Sequence, residues 1–307
     1  YDRRVGVIQD FKSIRFVRMF MKGFSDPTII RMATLDLVRG EWRKYNGSFM
    51  QPGEYNPVEL GETPFYVTAV NIEENGNKTP VNYILPPDIN RQIDPTNPQL
   101  RQLNEQAMVL RVIDLQDGDA RAVYKNLDMD MRKYKKLKMY IHAESLPTEA
   151  AIYDDDVSVF IRLGSDYKNN YYEYEIPLKV TAPGRYEGVN EDDPDRYLVW
   201  PIENNLDLDF EMLQEVKQQR NDDMRQLGSG VTLARVYSMM DGANKVSVMG
   251  NPNLSNVRTV MIGVRNPRRA GLTTIDDGLP KSAEIWVNEL RLTDFDEKGG
   301  WAANARF

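Results

Sequence analysis

His142 is the only histidine in the chain, and there is no cysteine, so the residue types that most often carry catalysis or bind transition metals are nearly absent. A zinc or copper site needs several nitrogen or thiolate ligands, and one imidazole cannot supply them. A Ser-His-Asp relay would have to use His142, yet no Gly-x-Ser-x-Gly elbow is present to expose a nucleophile. Oxygen chemistry is better provided for. Asp154, Asp155 and Asp156 are consecutive, Asp128 and Asp130 flank Met129, and Asp294 and Asp296 flank Phe295. Carboxylates gathered on loops at one end of a sandwich could chelate calcium through hard oxygen ligands, with Asp154, Asp155 and Asp156 the first choice. The chain contains no twelve-residue calcium loop, and aspartate is an ordinary turn residue, so a solvated acidic turn is the competing reading. Tyr167, Tyr171, Tyr172 and Tyr174 form the densest aromatic group. Alternation sends Tyr172 and Tyr174 to one side with Ile176, as core, and leaves Tyr167 and Tyr171 as surface residues able to stack on a sugar. Paired carboxylates of a glycosidase are conceivable, but any acidic β-protein offers such pairs. No phosphate-binding loop or dinucleotide fingerprint occurs.

The elements that must hold these residues read mostly with a period of two. Leu137, Met139, Ile141 and Ala143 alternate with Lys136, Lys138, Tyr140 and His142; Val157, Val159, Ile161 and Leu163 alternate with Ser158, Phe160 and Arg162. This is the pattern of half-buried strands. Further strands are expected over residues 65–72, 171–176, 196–200 and 257–264. Asp117-Gly118, between residues 109–115 and 120–126, predicts a hairpin turn. Gly164-Ser165-Asp166 reads as the turn joining two strands. Two helices are expected. One starts at Asn97-Pro98 and runs to about Met108; the other is capped by Asp207 or Asp209, carries Phe210, Leu213, Val216, Met224 and Leu227 on one stripe, and stops at Gly228-Ser229-Gly230.

Organisation shows in a repeat. Residues 4–8, 13–19 and 29–42 recur in order as 245–249, 256–262 and 283–292, about 240 to 255 residues later, a spacing of domain size rather than solenoid size. The expected arrangement is therefore the last strands of an upstream β-sandwich module over 1–45, a Gly-, Pro- and Asn-rich linker over 46–63, a complete β-sandwich module over 64–298, and a short Gly-aromatic run over 299–307. Residues 73–98, rich in Pro and Asn, read as an extended excursion over the surface, and 182–194 as an acidic loop. The fold class is mainly β: an antiparallel sandwich of the jelly-roll or galactose-binding-like kind with one or two short helices. A net charge of −7 and a pI near 5.1 argue against nucleic acid as a partner, because phosphate binding needs a basic footprint. Arg15, Arg18, Arg31, Arg39 and Arg43 cluster locally, but on strands such a set reads as a solvated or salt-bridged face. No apolar run approaches the length of a membrane helix.

The stretch Ala283-Glu284-Ile285-Trp286-Val287-Asn288-Glu289-Leu290-Arg291-Leu292-Thr293-Asp294-Phe295-Asp296, continuing through Gly299-Gly300-Trp301 to Arg306, closely resembles the SprA/Sov family, the giant outer-membrane translocon of the type IX secretion system of gliding and related bacteria. Residues 117–125, 160–167 and 35–42 carry supporting matches. The resemblance implies a segment of a very large β-barrel protein, with soluble jelly-roll-like modules inserted between barrel strands. Residues 299–307 would then begin a barrel strand, since a full crossing needs roughly 9 to 11 residues. It further implies an outer-membrane location, with PorV-like and plug proteins, secreted cargo and the remainder of its own barrel as partners. It supplies no catalytic residue, no metal ligand and no cofactor. The expected function is a non-catalytic structural module of an export channel. The alternatives are a carbohydrate-binding module, with or without calcium, built on Tyr167, Tyr171 and the aspartates, and, third, a glycoside hydrolase.

Overall fold

The computed structural model describes residues 22–26, 28–29, 42–45, 49, 63–91, 93, 102–268 and 277–295. The chain divides into two units, Tyr1–Gly40 and Glu41–Phe307. In the first, residues 22–26 and 28–29 form neither helix nor strand. Its copy of the repeat otherwise lies outside the described residues, as do residues 299–307 and Asp296.

The second unit contains strands β1 (Arg43–Tyr45) and β2 (Phe65–Asn71), a helical turn α1 (Ile72–Asn75), and strands β3 (Gln106–Leu115), β4 (Ala120–Met129), β5 (Tyr134–Ser145), β6 (Ser158–Gly164) and β7 (Tyr171–Pro177). Helix α2 (Pro194–Val199), strand β8 (Leu206–Asp209) and helix α3 (Phe210–Arg225) follow, and β9 (Tyr237–Asp241), β10 (Asn244–Met249), β11 (Val257–Arg265) and β12 (Lys281–Phe295) complete it. These strands form two sheets, one of seven strands in the order β1-β4-β11-β6-β7-β10-β9 and one of five in the order β2-β3-β12-β5-β8. Every strand pair within them is antiparallel.

The alternating apolar residues meet between the sheets. Leu137, Met139, Ile141 and Ala143 of β5 and Leu110 and Val112 of β3 pack in one cluster with Val159 and Ile161 of β6, Tyr172 and Tyr174 of β7 and Ile262 of β11. This is the interior expected of two facing sheets. The second copy of the repeat is β10, β11 and β12. Helix α3 closes one side of the core: the Asp209 carboxylate caps it by accepting the Glu211 N–H at 2.9 Å, and Phe210, Leu213 and Val216 are buried. The stripe ends there, since Met224 and Leu227 are exposed.

Five expectations need correction. Asp117-Gly118 does turn the chain, with Gly118 at φ 78°, but β3 and β4 lie in different sheets. The turn therefore crosses the sandwich instead of making a hairpin; β3 takes β2 and β12 as neighbours, and β4 takes β1 and β11. Residues 196–199 belong to α2, with Trp200 as its C-cap, and not to a strand, because Asp193 caps Asp195 and Pro194 fills the first helical turn, where a missing N–H costs nothing. The helix expected over 97–108 fails where it can be seen, since Gln106 already starts β3; residues 94–101 lie outside the described set. Of residues 73–98, the described part over 73–91 is less a surface excursion than a cover: Val81, Tyr83, Ile84 and Ile89 are buried with Val199, Trp200 and Trp286 against the outer face of the five-stranded sheet. Finally, Arg43–Tyr45, assigned to an upstream module, pairs with β4 as an edge strand of the seven-stranded sheet. The free edge of β4 offers unpaired backbone groups that an extended segment satisfies. Of the linker 46–63, Phe49 is described and is 3% exposed, its N–H donating to Asp119 Oδ1 at 3.0 Å.

Candidate functional site

The acidic triplet occupies the turn before β6, and its carboxylates point to different partners. Asp154 Oδ1 accepts the Val180 N–H at 2.8 Å, while Asp156 Oδ2 accepts the Tyr153 N–H at 2.9 Å. Lys179 Nζ lies 3.5 Å from both Asp154 and Asp155, and Lys281 Nζ lies 3.1 Å from Asp156. Asp155 adopts φ 68°, a left-handed turn conformation that aspartate tolerates. Each of the three carboxylates thus has a lysine ammonium group within 3.5 Å, and among the described residues no group of three or more histidine, cysteine or acidic side chains is arranged to hold a metal. The triplet fastens the turn to the segment after β7 and to β12.

The tyrosine face is likewise closed. Tyr171 is fully buried, with the Arg162 guanidinium 4.2 Å from its ring centre. Tyr167 is half-buried and packs against Tyr45 and Tyr124, each at 5.3 Å between ring centres. Neither offers the open ring that sugar stacking requires. Alternation correctly sent Tyr171 away from the central core, but Tyr45, Phe49 and Phe160 cover that opposite face as a second apolar layer.

Beneath this layer runs a ladder of charges across four strands. Register places Arg162 of β6 opposite Glu173 of β7 and Lys245 of β10 opposite Glu175 of β7. Arg265 of β11 reaches across β6 to bond Glu173 at 3.0 Å and also binds Glu175. Lys245 Nζ approaches Glu175 at 2.6 Å, and Ser158 Oγ donates to Glu175 at 2.7 Å. Burial alone would raise the pKa of Glu173, but the guanidiniums of Arg162 and Arg265 overcome it and hold the group at about 2. Burial also opposes ionisation of Glu175, which Arg265 and Lys245 pull below the usual carboxylate range. The sequence displayed these residues only as polar positions on separate strands. Their one signal was parity, which becomes useful once the pairing register is known.

His142 sits on the other outer face, buried under the cover. Its ring stacks on Trp286 with centres 3.9 Å apart, and Nδ1 donates to the Val199 carbonyl oxygen at 2.7 Å. Because a carbonyl can only accept, Nδ1 carries the proton. Nε2 faces Glu144 at 3.6 Å, and Glu144 is bound by Lys78. Beside it Glu284 accepts from Lys78 at 3.0 Å, from Arg111 Nε at 2.7 Å and from the Trp286 indole at 3.0 Å. Burial pushes the Glu284 pKa upward, but the indole N–H, Lys78 and Arg111 together bring it to about 2. Thr181 Oγ1 is 3.1 Å from His142 Nδ1. With His142 at 0% and Thr181 at 4% exposure, the pair leaves no room for a substrate and cross-links the cover to the sheet.

These arrangements bind parts of the fold to each other. The residues nominated for calcium, sugar and acid–base chemistry are spent on turns, on the second apolar layer and on the cover. Among the described residues no helix is long and apolar enough to cross a membrane, which says nothing of spanning strands. No curated protein matches the chain. The motif running through Trp286, which carries the resemblance noted above, forms β12 between β3 and β5 at the centre of the five-stranded sheet. The agreement extends over the whole length: the model of the SprA_N family, described as motility related/secretion protein, matches residues 1–307, and the chain belongs to that family.

Proposed function

We propose that this chain is a non-catalytic structural module of an outer-membrane protein-export channel, the translocon of type IX secretion. The observation that carries the reading is the family match over residues 1–307. The sandwich supports it: both sheets are covered on their outer faces, and the buried acids are matched by cations, as in an element that must hold its shape beside a moving polypeptide. PorV-like and plug proteins, the remaining barrel and secreted cargo are the proposed partners, and the outer membrane the proposed location. The test is deletion of residues 64–298 from the chromosomal gene. Export of secreted cargo should fall while the parent still reaches the envelope, as judged by immunoblotting of outer-membrane fractions. Normal export with loss of polysaccharide binding would instead favour a carbohydrate-binding module, and polysaccharide turnover by the purified chain that is lost on deletion would favour a glycosidase.

A further inference from the structure

Helix α3 presents its outer face to a groove of about 540 Å³ bounded on the far side by Pro252, Asn253 and Leu254. Lys217 lines it, half-buried, and Arg220 lies buried one helical turn along, behind the lining. Lys217 Nζ donates to the Pro252 carbonyl oxygen at 2.7 Å. Arg220, only 1% exposed, donates to the Gly250 carbonyl oxygen and, at 2.9 Å, to Asn221 Oδ1. Neither has a carboxylate partner among the described residues; both are satisfied by neutral oxygens. Burial and their mutual repulsion lower the pKa of Lys217, and burial lowers that of Arg220. Lys217 and Arg220 thus place two positive charges one helical turn apart with no opposite charge bonded to either among the described residues, and an approaching carboxylate would offset their desolvation. At the mouth, Arg132 and Arg225 add positive charge that Asp130 and Asp222 partly offset.

The groove is elongated. Its helix side runs from Gln214 through Lys217, Gln218 and Asn221 to Arg225, about 16 Å at 1.5 Å per residue. That length matches roughly five residues of extended chain at about 3.3 Å each. The side-chain amides of Gln214, Gln218, Asn221 and Asn253 can both donate to and accept from a peptide backbone. We infer that this groove binds an extended acidic peptide segment, whose carboxylate pairs with Lys217 in the positive potential of the buried Arg220 behind it and whose backbone lies along the amides of α3. The inference stands apart from the export reading, and the failure of either leaves the other untouched.

Fluorescence anisotropy on the full chain tests it, using a labelled hexapeptide in which glutamate alternates with serine and its glutamine counterpart. The acidic peptide should bind about tenfold tighter or better, as expected for one charge-assisted contact, and its affinity should fall as salt rises from low to physiological. Lys217→Gln should erase most of the preference, and Lys217→Arg should keep it. If Lys217→Gln disturbs folding by circular dichroism, the exposed Arg225→Gln should still weaken binding about twofold to threefold. Equal affinity for the two peptides, or an undiminished preference in well-folded Lys217→Gln, would overturn the proposal. So would complete displacement by inorganic phosphate at a concentration equal to the peptide's, since that would mark a site for a bare anion.

Discussion

Two pairs of cations in this sandwich are treated in opposite ways. Arg162 and Arg265 lie under a layer of aromatic rings and each bonds a buried glutamate. Lys217 and Arg220 lie beside an open groove and, among the described residues, bond neutral oxygens and no carboxylate. Both groups have lost much of their water, so the difference lies in what replaces it. Where carboxylates replace water, charge becomes architecture: removing one member strands its partner. Where carbonyls replace it, the guanidinium or ammonium keeps unspent electrostatic potential, and a ligand carboxylate can still gain by approaching.

The contrast can be broken most severely at Arg265. Arg265→Met would leave Glu173 and Glu175 short of a cation in a buried site and should cost about 3 to 5 kcal/mol, read as a lower urea midpoint at unchanged slope. A loss under about 1 kcal/mol would mean that the ladder is hydrated and the contrast false. Acid should break the same side next. Glu173 and Glu284, held at about 2 when folded, have pKa values depressed below the ordinary glutamate value near 4.3. Their contribution is therefore complete above that value and lost as pH falls through it toward 2, on the order of 3 kcal/mol for each. Thermal unfolding followed from pH 6 to pH 2.5 should show the loss concentrated below about pH 4.5. Arg265→Met should flatten the part due to Glu173.

Arg220→Met sharpens the comparison from the other side. It strands no carboxylate, only the Gly250 carbonyl and the Asn221 amide, so the expected cost is about 1 to 3 kcal/mol, smaller than at Arg265 in the same denaturation experiment. Equal losses at the two positions would show that the partner's charge is irrelevant to stability. The smallest effect belongs to Lys136, whose partner Asp207 is half-exposed and 3.2 Å away. Lys136→Ala should change stability by under about 0.5 kcal/mol. A larger loss by the same assay would indicate that the exposed end of β5 is more tightly held than its geometry suggests.

Much of the fold was legible before any coordinate. Period-two alternation identified β5, β6 and β7 and the side each turns inward, and marked β11 as a strand, because the pleat sends neighbouring side chains to opposite faces. Asp209 was legible, with Asp207, as one of two candidate caps, because a capping carboxylate acts within two residues of itself. The candidate site was much less legible. Parity separated Tyr171 from Tyr172, but it says only which of two faces a residue occupies, and here both faces are covered, one by the opposing sheet and one by Tyr45, Phe49 and Phe160. Residues 73–98 misled for a related reason: Pro and Asn describe a chain without regular structure, and such a chain can still bury Val81, Tyr83 and Ile84 if a tryptophan-bearing face awaits it. The turn at Asp117-Gly118 was recognisable, whereas the sheets it joins were not, because turn chemistry is local and strand partnership is not.

The sequence by itself determined the β character, the inward faces of β5, β6 and β7, two candidate caps of α3, the acidic balance and, through the motif around Trp286, the family. Tertiary structure alone decided which charges meet. Arg265 and Glu173 are 92 residues apart along the chain and 3.0 Å apart in space, while Lys217, two residues from Glu215 on the same helix, bonds a carbonyl and no acid among the described residues. Coulombic attraction depends on distance through space, and helical phase and strand register set that distance. Residue types therefore foretold that cations and carboxylates would have to be reconciled, and the packing chose where they were and where a place was left open.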